Sequence, residues 1–136
     1  MTGSCHCGDV RLTVEHQPDF LHDCNCSLCR SRGAVWGYYS GAEVSVEGHT
    51  ALYSRADRDR PGALVHFCSR CGSTTHFTVA PEFNSDMTGV NMRLMEPAAT
   101  AGVTLRYPDG AAWDGQSAFD YRRSETTVPT AGLQAL

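Results

Sequence analysis

Seven cysteines in three tight clusters constrain this chain more than any other feature. Cys5 and Cys7 form a C-x-C pair. Cys24, Cys26 and Cys29 form a C-x-C-x-x-C triplet, and Cys68 and Cys71 a C-x-x-C pair followed by Gly72. Cysteines this close cannot easily bond to one another, but they aim several thiolates into one small volume, as tetrahedral zinc requires. Four such thiolates close one zinc site. The three that remain leave a position open for water or substrate, the mark of a catalytic metal rather than a structural one.

The competing scheme is a disulfide framework. Met1-Thr2-Gly3-Ser4-Cys5 has neither a charged n-region nor an apolar run, so the expectation is a cytoplasmic chain without a secretory signal. No stretch approaches the roughly 18 apolar residues that cross a bilayer, so no membrane partner is expected. Thiols stay reduced in that compartment, and an odd count leaves one unpaired in any disulfide scheme. Disulfides are therefore the weaker reading. One zinc beside three free buried thiols stays open as an alternative to two zincs.

At 136 residues the chain fits one domain and can bury a genuine core. Its formal charge is −4, and seven thiolates around two divalent ions would make it more acidic still. That argues against a nucleic-acid-binding zinc ribbon, which carries a basic face. All 11 basic side chains are arginine, which excludes Schiff-base chemistry on a lysine.

The pattern is all-β: short strands separated by turns. Residues 10–14 alternate apolar and polar, residues 34–39 are aromatic and β-branched, and residues 44–47 alternate again. Further strands are expected at 51–54, 64–67 and 74–79, the last two joined through the Cys68–Cys71 knuckle, with weaker candidates at 87–92 and 103–107. Pro108-Asp109-Gly110 is a strong turn signal. Phe20 to Asp23 leads into the triplet, and residues 27–32 could hold a helical turn. Residues 55–62 read as a charged, solvated loop. The expected division is a zinc-binding β domain over 1–121 and a loosely attached polar tail over 122–136.

Cys5 and Cys7 lie about sixty residues before Cys68 and Cys71, so one zinc on all four clamps the first strand to a hairpin in mid-chain. Structural zinc contributes on the order of 10 kcal/mol to folding. Gly8 and Gly72 suit the tight turns that aim backbone N–H groups at thiolates. The triplet is local, so one turn can present three sulfurs to one metal, and a small-molecule thiolate is the natural fourth ligand. The open site therefore points to thiol chemistry. Strand alternation puts His22 on the face of Cys24 and His66 on the face of Cys68, as candidates to orient a ligand or transfer a proton. His6 sits between two ligands, His76 reads as a satisfied strand histidine, and His16 and His49 fall in turns.

Three segments carry a family resemblance: Gly3-Ser4-Cys5-His6-Cys7-Gly8-Asp9-Val10-Arg11, Cys24-Asn25-Cys26-Ser27-Leu28-Cys29-Arg30 and Phe67-Cys68-Ser69-Arg70-Cys71-Gly72. In order and spacing they resemble the glutathione-dependent formaldehyde-activating enzyme family, also called the centromere-protein-V/GFA domain family. Val90 to Leu94 looks like the family's later strand, and the likeness fades beyond about residue 110. The resemblance implies a zinc-stapled all-β fold akin to methionine-R-sulfoxide reductases and Rab accessory factors. It implies a structural zinc on Cys5, Cys7, Cys68 and Cys71 and a reactive zinc on Cys24, Cys26 and Cys29. The founding activity is condensation of formaldehyde with glutathione to S-hydroxymethylglutathione, classed among carbon–sulfur lyases for the reverse direction. Asn25 departs from the pattern where members commonly carry a basic residue, and Leu94 where many have cysteine.

On this reading a thiol such as glutathione enters the open site and attacks a small aldehyde, and proximity lowers the barrier. Glutathione carries two carboxylates, so Arg30 and Arg32, and with them Arg55 or Arg58, are candidate clamps. Trp36 and Tyr38 could wall the pocket. A sulfoxide reductase needs a free late cysteine, and none follows Cys71. A non-catalytic zinc module for protein interaction or metal sensing is the alternative.

Overall fold

The computed structural model describes residues 1–136, in eleven short strands and one short helix. Strands β1 (Thr2–Ser4), β2 (Arg11–Val14) and β5 (Val44–Glu47) form a three-stranded antiparallel sheet with β2 in the middle. The larger sheet contains β3 (Leu21–His22), β4 (Trp36–Ser40), β6 (Thr50–Ser54), β7 (Ala63–Cys68), β8 (Thr74–Val79), β9 (Met87–Asn91), β10 (Thr104–Arg106) and β11 (Thr126–Thr127). Its order is β11-β10-β3-β4-β9-β8-β7-β6, antiparallel throughout except for β10 beside β3. Helix α1 (Ser27–Arg32) follows β3. No helix is long and apolar enough to cross a membrane.

Alternation gives the larger sheet two different faces. Leu12 and Val14 of β2 pack with Leu21 of β3, Tyr39 of β4, Val90 of β9 and Leu105 of β10 in one buried cluster between the sheets. Each such fully buried side chain stabilises the fold by about 1.5–3 kcal/mol. The neighbours of these residues along the strands point the other way, because side chains alternate at period two. Trp36 and Tyr38 of β4, His22 of β3 and Phe77 of β8 therefore line a cavity on the opposite face. That face carries the triplet's chemistry; the first carries the core.

The expected strands all form, within a residue or two at their ends, and the helical turn at 27–32 is α1. Strands β1, β3 and β11 are two or three residues long, too short for a periodic pattern to register. The tail is not loose. Val128 and Leu133 are buried in the core cluster, and Val128 exchanges backbone hydrogen bonds with Val103 (3.0 Å) and Gly102 (2.9 Å). Its Ser, Thr, Pro and Gly composition conceals these two apolar anchors.

Candidate functional site

Cys5, Cys7, Cys68 and Cys71 converge, with all their Sγ atoms within 4.8 Å of one another. Cys5 and Cys7 are 3.6 Å apart at sulfur and Cys7 and Cys68 3.7 Å. A tetrahedron of thiolates at the zinc–sulfur distance of about 2.3 Å has an edge of about 3.8 Å, so these sulfurs fit that ion closely. Two turns build the group. Gly8 (φ 82°) donates its N–H to Cys5 O at 3.0 Å, and Gly72 (φ 77°) donates to Cys68 O at 2.9 Å. Both need the left-handed conformation that glycine adopts without strain. Val10 N–H is directed at Cys5 Sγ (3.2 Å), a donor suited to a thiolate. The group joins the start of the small sheet to the β7–β8 hairpin of the large one, and Arg70 pairs with Asp9 across the same junction at 3.2 Å.

Cys24, Cys26 and Cys29 form the second convergence, again within 4.8 Å at sulfur. Cys24 leaves β3, Cys26 is the N-cap of α1 and Cys29 lies one turn on, so helical spacing turns the last two to one side. Cys29 N–H meets Cys26 Sγ at 3.5 Å, and Gly33 closes the helix in the left-handed conformation. Crowding makes the three thiols share protons. Hydrogen bonding from Cys24 holds Cys26 far below the ordinary thiol value, and the same neighbour drives Cys29 far above it. A set that resists carrying three protons, or three negative charges, fits a divalent cation at its centre.

The three triplet cysteines line a cavity of about 550 Å³, and none of the other four does. Trp36 Nε1–H donates to Cys29 Sγ at 3.2 Å. His22 Nδ1 and Tyr38 Oη lie 2.9 Å apart, with His22 Nε2 buried and unpartnered. Burial, aided by Arg106, lowers His22 to about 4, so the imidazole is neutral at pH 7; burial also raises the Tyr38 phenol. The alternation argument thus reaches the cavity for His22. For His66 it does not: a register shift between His66 and Phe67 interrupts the strand, and His66 stacks on His76 at 4.2 Å between Thr50 and Thr78.

Of the candidate arginines, Arg55 and Arg58 line the cavity and Arg30 and Arg32 do not. Arg30 is exposed on α1, and Arg32 stacks over Tyr53 (4.8 Å) while reaching Thr74 Oγ1 (3.4 Å); neither lines the cavity. Both lie beside the triplet in sequence, but Arg30 faces solvent and Arg32 lies half-buried against Tyr53 and Thr74. The charged loop supplies the cations instead: Arg55, Arg58 and Arg60 line the cavity, Arg55 already paired to Asp57.

One wall was invisible in sequence. The turn at Pro108–Gly110 packs on the triplet so closely that a Cβ at Gly110 would overlap Cys24 Sγ. Asn25 fastens it: its amide donates to Asp109 Oδ1 (2.7 Å) and its carbonyl oxygen accepts from Ala111 N–H (2.9 Å). The segment that follows brings Trp113 and Phe119 over the cavity. The turn signal was legible; its landing place was not.

Residues 1–105 match the family described as glutathione-dependent formaldehyde-activating enzyme. The chain belongs to this family. A protein of Halomonas elongata, provisionally named a glutathione-dependent formaldehyde-activating enzyme, is 42% identical over 84 residues, covering 54% of this chain and 52% of that one. The chain thus spans about half the length of this curated relative. A crystal structure of a Rhodobacter sphaeroides protein superposes with a TM-score of 0.58 at 35% identity, over 71% of this chain and 88% of that one. The family match includes all seven cysteines and stops short of Asp109, Trp113 and Phe119.

Proposed function

We propose that this protein adds a small thiol, glutathione or a close analogue, to an aldehyde, the reverse direction being a carbon–sulfur lyase reaction. Formaldehyde, which the family's name carries, would give the S-hydroxymethyl adduct. The observation that carries the reading is the placement of Cys24, Cys26 and Cys29 in the wall of a cavity, while Cys5 and Cys68 are buried at a sheet junction.

In this reading the four-cysteine group holds a structural zinc and the triplet a reactive one. Zinc on the triplet would supply an open position that takes a thiol as its thiolate and keeps it nucleophilic at neutral pH. Trp36 Nε1–H steadies Cys29 in that arrangement. Arg58 and Arg60, which have no carboxylate partner in this fold, meet the carboxylates of glutathione at the rim. The thiolate sulfur attacks the carbonyl carbon, a C–S bond forms, and the carbonyl π pair moves to oxygen. Tyr38, held by His22, donates the proton that makes this oxygen a hydroxyl, and the proton released by the thiol restores the phenol. Nothing is oxidised or reduced.

The test is a titration of the cobalt-substituted protein with reduced glutathione, following the visible and charge-transfer bands. A saturable change that Cys26→Ser lacks, with the variant still folded, supports thiol entry at the triplet. Absence of any change with both sites loaded overturns glutathione as the thiol. If Cys26→Ser unfolds as badly as Cys68→Ser, the division between reactive and structural cysteines is wrong.

A further inference from the structure

Formaldehyde has one carbon, and the cavity beside the triplet is about 550 Å³, within the range of about 300–1,000 Å³ that holds drug-sized ligands. Part of its lining is a floor that depends on one glycine. Phe77 of β8 lies across Gly89 of β9, and a Cβ on Gly89 would run into the Phe77 ring. Without that Cβ the ring lies down on the sheet and leaves open space above it. Trp36 stands edge-on to Phe77 with centroids 5.0 Å apart, and Trp113 and Phe119, tilted against each other at 4.6 Å, add a second aromatic pair to the lining. The arginines sit in the loop at 55–60, so the cavity has an aromatic part and a cationic part.

These aromatic faces have no use in holding a one-carbon aldehyde or its hydrate, because both leave them against water. Glutathione does not fill that part either. Its body is amide and carboxylate, matched to cations and hydrogen-bond donors rather than to four aromatic side chains. Trp113 and Phe119 also lie outside residues 1–105, the segment that matches the family.

We infer that the aldehyde used at this site carries an apolar, ring-sized body that lies on Phe77 between Trp36 and the Trp113–Phe119 pair. The inference rests on the proposed thiol–aldehyde reaction for the identity of the reacting group, and on the cavity alone for the apolar body. The bonds made and broken are those already described, with the ring-bearing carbon in place of one hydrogen of formaldehyde.

The experiment compares phenylacetaldehyde with formaldehyde on the zinc-loaded protein at fixed glutathione, each rate taken above the spontaneous reaction. In parallel, 2-phenylethanol and ethanol are titrated against intrinsic fluorescence, which reports on the cavity because both of the protein's tryptophans line it. The expected results are a kcat/KM at least about tenfold higher for phenylacetaldehyde and a saturable emission change with 2-phenylethanol only. Gly89→Ala, which raises the Phe77 ring, should lower the ratio of the two kcat/KM values about tenfold or more. Should that variant fail to fold, Phe77→Leu removes the floor without the clash and should abolish the 2-phenylethanol response. Equal or reversed preference, with glutathione still perturbing the cobalt bands, overturns the apolar body and leaves the thiol reaction standing. If glutathione leaves the cobalt bands unchanged, the thiol reading fails separately. The 2-phenylethanol titration then decides alone: a saturable response supports the apolar body, and its absence overturns it.

Discussion

One N–H group sets Trp36 apart from the other aromatic side chains of the cavity, because its Nε1 donates to Cys29 Sγ at 3.2 Å. Such partners orient a ligand and tune its basicity, and losing one typically costs about 10–100-fold in metal affinity. Trp36→Phe keeps an aromatic ring and removes the N–H donor together with the five-membered ring. If the proposed two-zinc reading holds, it should weaken zinc binding at the triplet by about that factor in a chelator competition and leave binding at Cys5, Cys7, Cys68 and Cys71 unchanged. Equal weakening at both groups would show a general packing defect instead. The cysteines and Gly8 and Gly72 were legible at this scale because ligand chemistry and turn geometry are local. The arginines were legible only in part: Arg55 and Arg58, named as candidates, line the cavity with Arg60, whereas Arg30 and Arg32, which adjoin the triplet in sequence, do not.

The segment from Pro108 to Phe119 forms a wall of the cavity whose latch is Asn25. Two hydrogen bonds, at 2.7 and 2.9 Å, hold it, each worth about 0.5–1.5 kcal/mol. Asn25→Ala should leave thermal stability within about 1–3 kcal/mol of wild type. It should also expose Trp113, read as a red-shifted emission, and raise KM for the aldehyde more than it lowers kcat. An unchanged spectrum and KM would remove Asn25 from the wall. A second contact between elements is titratable. His16 Nε2 meets Glu43 Oε1 at 2.9 Å where β4 passes through a short 3-10 turn into β5, and Glu43 also accepts from Ser40. The Gln17 carbonyl, then Glu43, raises His16 above its usual value, and hydrogen bonding to His16 lowers Glu43 to about 2. A raised histidine stabilises below its unfolded value near 6.5 and loses that contribution as pH climbs through the folded value. The lowered carboxylate contributes above about 4.5 and loses it on acidification toward about 2. The pair is therefore strongest between about 4.5 and 6.5. His16→Gln should destabilise more at pH 5.5 than at pH 8 in paired urea melts; a pH-independent difference would show that the charge does not matter.

For the whole molecule, the four-cysteine group and the chain terminus both act as ties. The cysteines join the small sheet to the β7–β8 hairpin, and the C-terminal segment closes the core from the other end through Val128 and Leu133, 1% and 2% exposed. Truncation after Tyr121 removes both side chains and β11, and should cost about 3–6 kcal/mol in a urea melt at constant zinc. A loss under 1 kcal/mol would restore the segment to the status of a tail. By itself the sequence determined that the chain is mostly β, that seven thiolates fall into a four and a three, and which family it belongs to. Strand alternation, turn chemistry and metal-ligand spacing are all written within a few neighbouring residues. Only the tertiary structure decided what surrounds the triplet: the Asn25 latch, the Gly110 approach, the Phe77 ring over Gly89 and which of the candidate arginines line the cavity. Those contacts join residues tens of positions apart through sheet register and packing, and no local pattern in the chain encodes which residues will meet.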